Sequence, residues 1–142
     1  MCLMKLENMS EFNFKSQICT TKEQSERLLA LGLKKETADC CYYYYDGEYL
    51  IAFAEDAKYP SDIPAWSLHR LWELLGKINK YEGKDELIYP RITLEGGDVI
   101  FVSPKSIWSR RNFCSPKGVY ENIINCLEEL IKEGHFPKEY LA

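Results

Sequence analysis

The residues best suited to contact an anionic partner lie in one basic segment, residues 104–118. This segment has four cations and no acidic residue, whereas the whole chain of 142 residues has 18 Lys and Arg against 22 Asp and Glu, a formal net charge of −4. Aromatic rings placed among cations are typical of single-stranded nucleic-acid binding, in which bases stack on the rings and phosphates attract the cations. The residues concerned are Lys105, Trp108, Arg110, Arg111, Phe113 and Lys117.

The basic segment also has a structural interpretation, a loop in which Trp108 and Phe113 fill the core while the cations remain solvated. We favour it because single clusters of charge are common on protein surfaces. It predicts that an Asp or Glu pairs with at least one of Arg110 and Arg111. The acidic balance of the whole chain also argues against non-specific nucleic-acid binding, which depends on neutralising phosphates. Nucleic-acid contact through Lys105, Trp108, Arg110, Arg111 and Lys117 is therefore the alternative.

Four consecutive tyrosines, residues 42–45, form the second candidate surface. In a strand, Tyr42 and Tyr44 share one face while Tyr43 and Tyr45 share the other. We expect one pair to pack beneath helices and the other to point outward, where tyrosines are favoured at protein interfaces. The alternative is that a loop at 55–63 covers the second face. Tyr43 and Tyr45 are the candidate protein-interface residues.

Nothing in the sequence has the pattern of a catalytic, cofactor or metal site. A nucleophilic Cys or Ser needs a neighbouring base, and the two histidines, His69 and His135, have no local Cys–His signature around them. The cysteines lack the two-to-four-residue spacing of zinc ligands. Gly96-Gly97 is placed for a hairpin turn, not for a phosphate-binding loop between a strand and a helix. We therefore predict no catalytic residue, no cofactor and no metal.

The chain has six cysteines and no recognisable targeting segment. Its first 12 residues are too polar for a secretory signal, which predicts a cytoplasmic protein with reduced thiols. We expect the cysteines to act as small buried hydrophobes. No apolar run approaches the roughly 20 residues that a membrane-spanning helix needs, so no membrane contact is predicted. The six are Cys2, Cys19, Cys40, Cys41, Cys114 and Cys126.

The first half of the chain predicts a helix followed by a hairpin. Thr20 and Glu23 fit a capping box at the start of a helix over 22–31, and Gly32 is placed to end it. Strong strand formers on both sides of Asp46-Gly47 predict a β-hairpin over 40–54.

The second half predicts two more helices around a second hairpin. Ser67 is the expected N-cap of a helix over 68–75, with Trp66 and Leu71 in the positions of a hydrophobic staple and a buried stripe that includes Leu68 and Trp72. Strands at 91–95 and 98–102 form the hairpin. Ser115 is expected to cap a last helix over 116–133.

The order α-ββ-α-ββ-α predicts a single α+β domain over 1–142, with antiparallel hairpins packed against about three helices. A length near 140 residues suits one domain with its own core. Residues 1–17 are expected to be poorly ordered or to add an N-terminal strand.

Two strings of residues carry a resemblance to a known group of proteins. One comprises Thr21-Lys22-Glu23-Gln24-Ser25 with the Leu31-Gly32-Leu33 and Thr37-Ala38-Asp39 that follow, and the other is Ile63-Pro64-Ala65-Trp66-Ser67-Leu68. Together with the last helix, they resemble small uncharacterised proteins of phages, prophages and mobile elements of gut bacteria. The resemblance implies a genomic context and transfers no site residue.

These observations favour a non-enzymatic accessory protein of a phage or mobile element that acts by binding another macromolecule, most simply a protein. Nucleic-acid binding through the basic segment is the alternative. An enzyme of unknown reaction comes third.

Overall fold

The computed structural model describes residues 16–56, 62–77, 89–92, 98–103 and 106–142, and of residues 89–92, 99–103 and 106–112 it describes the backbone. This part of the chain forms an α+β domain, as predicted. The elements in order are α1 (Lys22–Ala30), β1 (Cys40–Tyr45), β2 (Glu48–Phe53), β3 (Ile63–Ala65), α2 (Leu68–Gly76), β4 (Tyr89–Ile92), β5 (Val99–Ser103), β6 (Ser106–Phe113) and α3 (Val119–Lys132). Single 3₁₀ turns occur at Lys35–Thr37, Ala54–Asp56 and Lys138–Tyr140.

The strands form two antiparallel sheets with the orders β2-β1-β3 and β4-β5-β6. Each predicted hairpin is therefore present, and each gains a third strand that the sequence analysis missed. β3 pairs with β1 so that Ala65 lies opposite Cys40, and β6 pairs with β5 so that Phe113 lies opposite Val99. Strand β6 corrects the loop expected for the basic segment, because pairing with β5 extends that backbone.

Helix α1 begins at Lys22 as predicted, but its capping box lies one residue later than predicted, at Thr21 and Gln24. The hydroxyl of Thr21 accepts a hydrogen bond from the Gln24 N–H at 3.1 Å, and the Gln24 side chain accepts one from the Thr21 N–H at 3.0 Å. Thr20 is instead buried, where its hydroxyl lies 2.8 Å from that of Ser25 and accepts from the Trp66 N–H. The predicted end is confirmed, since Gly32 has a φ of 93°.

Helix α2 has the predicted N-cap and staple but a different buried stripe. The Ser67 hydroxyl accepts from the Arg70 N–H, and Trp66 and Leu71 are both fully buried. The buried helix residues are Leu71, Leu74 and Leu75, whereas Leu68 and Trp72 are 37% and 38% exposed. Leu71 and Leu75 of the predicted stripe are therefore buried as expected. The buried face also includes Leu74 and is rotated toward it, which leaves Leu68 and Trp72 at the border.

Helix α3 begins at Val119, three residues after the predicted start. Gly118, with a φ of 104°, is its N-cap, and Ser115 lies in the preceding turn. There the Ser115 hydroxyl accepts from the Lys117 N–H, and the Ser115 N–H donates to the buried side chain of Asn122. These bonds hold Ser115 outside the helix, which corrects its predicted role as cap.

Helix α3 is the centre of the main core, because it contacts α1, α2, β5 and β6. A smaller cluster lies on one face of the first sheet and comprises Cys19, Cys40 and Ala65 with the partly buried Tyr42 and Ile51. The main core comprises Leu28, Leu33, Ala38, Trp66, Leu71, Leu74, Leu75, Tyr120, Ile123, Ile124, Cys126, Leu127, Leu130 and Phe136.

Within the described ranges, no helix has the length and apolar character needed to cross a membrane. Most of the N-terminal segment for which disorder or an added strand was predicted, residues 1–15, lies outside the described residues.

Candidate interaction surface

The first hairpin projects three tyrosine rings from its turn. Asp46 and Gly47 have φ values of 49° and 85°, which match the two left-handed residues of a type I′ turn. This turn places Tyr45 opposite Glu48 and Tyr44 opposite Tyr49. We call the side chains of Tyr44, Tyr45 and Tyr49 the aromatic tip; they are 64%, 65% and 45% exposed.

Burial of the four consecutive tyrosines changes along β1 instead of between its faces. Tyr42 and Tyr43 are half-buried although they point to opposite faces, and Tyr44 and Tyr45 are both exposed. The expectation that one face is buried and the other open was therefore wrong. The turn end of the hairpin extends beyond the elements that cover its base, so both faces are accessible there. Tyr45 is a surface residue as proposed, Tyr43 is only partly one, and Tyr44 was missed.

The base of the hairpin is held by the small core cluster. The Tyr42 hydroxyl donates to the Thr20 carbonyl at 2.7 Å and lies 3.5 Å from the Cys19 Sγ. Burial raises the pKa of Tyr42 above its ordinary value. Burial, and to a smaller extent the nearby Asp39 carboxylate, raises the pKa of the Cys40 thiol to about 12. Both groups are therefore neutral at physiological pH, and they anchor the strand by packing and by the hydrogen bond from Tyr42 to Thr20.

A polar cluster joins the start of β1 to helix α2. The Asp39 carboxylate accepts hydrogen bonds from both the backbone N–H and the hydroxyl of Ser67. The indole N–H of Trp66 donates to the Thr37 hydroxyl at 2.9 Å, and Arg70 donates to the Thr37 carbonyl at 2.9 Å. These bonds fix the hairpin base relative to the main core.

The rings of the aromatic tip are partly ordered by one another. Tyr44 and Tyr49 pack edge to face, with centroids 5.2 Å apart and planes at 71°. The ammonium of Lys22 lies 4.1 Å from the centroid of Tyr49, a distance at which a cation is attracted to the ring face. The rings of Tyr44 and Tyr49 are therefore preorganised and lose less conformational entropy when a partner binds.

The side chains on which the nucleic-acid alternative depends lie mostly outside the described residues. This holds for Lys105, Trp108, Arg110 and Arg111, so the predicted pairing of the arginines stays a prediction. Phe113 is half-buried against the main core, as the structural interpretation expects. Lys117 is exposed in the turn before α3.

The histidines and cysteines are dispersed through the fold. His69 is exposed and its Nε2 lies 3.4 Å from the Glu73 carboxylate, whereas Nε2 of His135 lies 3.3 Å from that of Glu133. Four cysteines are buried as expected (Cys19, Cys40, Cys41 and Cys126), but Cys114 is exposed, and Cys2 lies outside the description. Among the described residues, no three His, Cys, Asp or Glu side chains are grouped to hold a metal ion.

Comparison with models of protein families, with curated proteins and with solved structures found no match.

Proposed function

We propose that this chain is an accessory protein of a phage or mobile element, located in the cytoplasm, that acts by binding another protein through its aromatic tip. The observation that carries the proposal is the joint exposure of Tyr44 and Tyr45 at the end of a hairpin whose base is anchored in the fold. Tyrosine is among the residues that contribute most to binding energy at protein interfaces.

The charge around the aromatic tip favours a protein over a nucleic acid. Asp46 and Glu48 are exposed beside the rings and would repel a phosphate backbone, whose attraction to cations supplies most of non-specific nucleic-acid affinity. Nucleic-acid binding through the basic segment remains the competing proposal.

Site-specific photo-crosslinking tests the proposal. A photoreactive phenylalanine analogue at position 45 is compared, in the native host, with the same analogue at position 139, another exposed site. We expect a protein adduct of defined mass at position 45 that is absent at position 139. Equal adducts at both positions, or none at 45, would contradict the proposal. Strong retention of the purified protein on heparin that weakens steeply with salt would favour the nucleic-acid alternative.

A further inference from the structure

Within the part of the chain that the structure describes, the outer strand of the first sheet, β2, has an open edge. Among the described residues, β2 has β1 as its neighbour on one side and no strand on the other. Natural edge strands are commonly shielded by Lys, Pro, a bulge or very short length. β2 has six residues, Glu48 to Phe53, with no Lys or Pro, and pairs with β1 in unbroken register. Such a strand is a ready template for one more strand.

The charged residues in and next to the same hairpin are all acidic. Residues 39–56 include five acidic side chains, Asp39, Asp46, Glu48, Glu55 and Asp56, and no Lys, Arg or His. All but Asp39 are exposed. A second copy of this chain added along β2 would bring two such acidic sets together, which is unfavourable. A segment that carries cations would be attracted instead.

The exposed rings of β2 add a second reason for a cationic occupant. Tyr49 and Phe53 lie on the same face of the strand and are 45% and 65% exposed. The Tyr49 ring already holds the Lys22 ammonium at 4.1 Å, which shows that this surface accommodates a cation over an aromatic face. In an added strand, side chains four residues apart would share that face and lie beside these two rings.

We propose that the partner contributes an extended segment rich in Arg and Lys, which pairs with β2 as a fourth strand of the first sheet. The proposal rests on the proposed function and specifies the chemistry of its partner. Main-chain hydrogen bonds to the strand edge provide the affinity, and the acidic and aromatic side chains select basic residues.

Synthetic peptides test both parts of the proposal on the intact protein. The probe is a ten-residue peptide that alternates Arg and Val, compared with one that alternates Glu and Val, by calorimetry at moderate salt. We expect the Arg peptide to bind at least tenfold more tightly. The paired change Asp46→Asn with Glu48→Gln should weaken it at least fivefold, whereas the matched change Glu36→Gln with Glu139→Gln should not.

Methylated peptides separate strand pairing from general attraction of charge. Methylation of the backbone nitrogens of alternate residues blocks one edge of an extended peptide and leaves its charge unchanged. We expect one of the two methylation patterns to abolish binding and the other to preserve it. Equal binding of both patterns, equal loss in the two paired variants, or dimerisation through β2 would overturn the inference. The crosslink at position 45 tests the proposed function separately, since it requires neither a basic partner nor strand pairing.

Discussion

Trp66 illustrates at the residue scale how local sequence signals and tertiary contacts combine. Its ring is fully buried in the main core, and its indole N–H is bound to the Thr37 hydroxyl. Trp66→Ala should lower the free energy of unfolding by about 3–5 kcal/mol, because an aromatic site in the core is emptied. Trp66→Phe should lower it less, since most of the volume is retained. Urea denaturation measures both, and a loss below about 1 kcal/mol for the alanine variant would contradict the burial.

The buried thiol of Cys40 predicts a loss of stability at alkaline pH. Its pKa is raised to about 12 in the folded protein, whereas the pKa of an unfolded cysteine is about 8.5. The stabilising contribution is complete below the unfolded pKa and is lost as pH rises toward the folded one, because the unfolded state then releases the proton first. The free energy of unfolding should therefore fall as the pH rises above about 8.5.

The variant Cys40→Ala should flatten this alkaline decline, and Cys114→Ala, at an exposed thiol, is the matched control. Denaturation at a series of pH values measures both slopes. Identical slopes in the Cys40 variant and the wild type would rule out this contribution. Tyr120, whose pKa burial raises to about 12, adds to the decline in every variant.

At the element scale, a second polar cluster, distinct from the one between β1 and α2, joins helices α1 and α3 outside the core. Both oxygens of Glu121 are engaged, one by the Gln24 amide at 2.9 Å and one by the Arg27 guanidinium at 2.8 Å. Arg27 also donates to the Asn125 side chain at 2.9 Å. The hydrogen bond from Gln24 and then the Arg27 guanidinium hold the pKa of Glu121 below its ordinary value. The ionised carboxylate therefore stabilises the contact between these helices.

We predict that Glu121→Gln lowers the free energy of unfolding at neutral pH by about 1 kcal/mol or less, because Arg27 is more than a third exposed and solvent screens the pair. The contribution of Glu121 is present above the unfolded pKa of about 4.3 and lost as the pH falls through the lower folded pKa. The variant should therefore lose less stability on acidification than the wild type. Denaturation between pH 3 and 7, with Glu36→Gln as control, tests this, and an unchanged acid slope would contradict it.

The elements that the sequence predicted correctly are those defined by neighbouring residues. Asp46-Gly47 forms the turn of the first hairpin, Gly32 ends α1, and Ser67 caps α2. The errors arise where a contact between residues that are distant in sequence determines the local structure. Thr20 and Thr21 are equivalent as caps by sequence, and the buried bonds of Thr20 to Ser25 and Trp66 leave the cap to Thr21. Strand β3 has three residues including Pro64, too short for a strand pattern, and exists through pairing with β1.

At the scale of the whole molecule, the run of tyrosines marked the candidate surface but could not show which rings are exposed. Alternation along a strand assigns Tyr43 and Tyr45 to one face, and this much is correct. Exposure depends on how far the hairpin extends past β3, which pairs only with Cys40, Cys41 and Tyr42, and this is a property of packing. The sequence shows that the charged residues of the hairpin are acidic. It does not show that they border a strand edge, because this depends on the position of β2 at the outside of the sheet among the described residues.

The central claim is that the aromatic tip serves binding and not folding. Tyr45→Ser removes one exposed ring, and Ile18→Ser, at a residue that is 66% exposed, is the matched control. The decisive measurement is the affinity of each variant for the protein that crosslinks to position 45, together with its free energy of unfolding. We predict that Tyr45→Ser binds at least tenfold more weakly while its stability stays within about 0.5 kcal/mol of the wild type, as expected for a surface site. Unchanged affinity, or a loss of affinity equal to that of Ile18→Ser, would contradict the account.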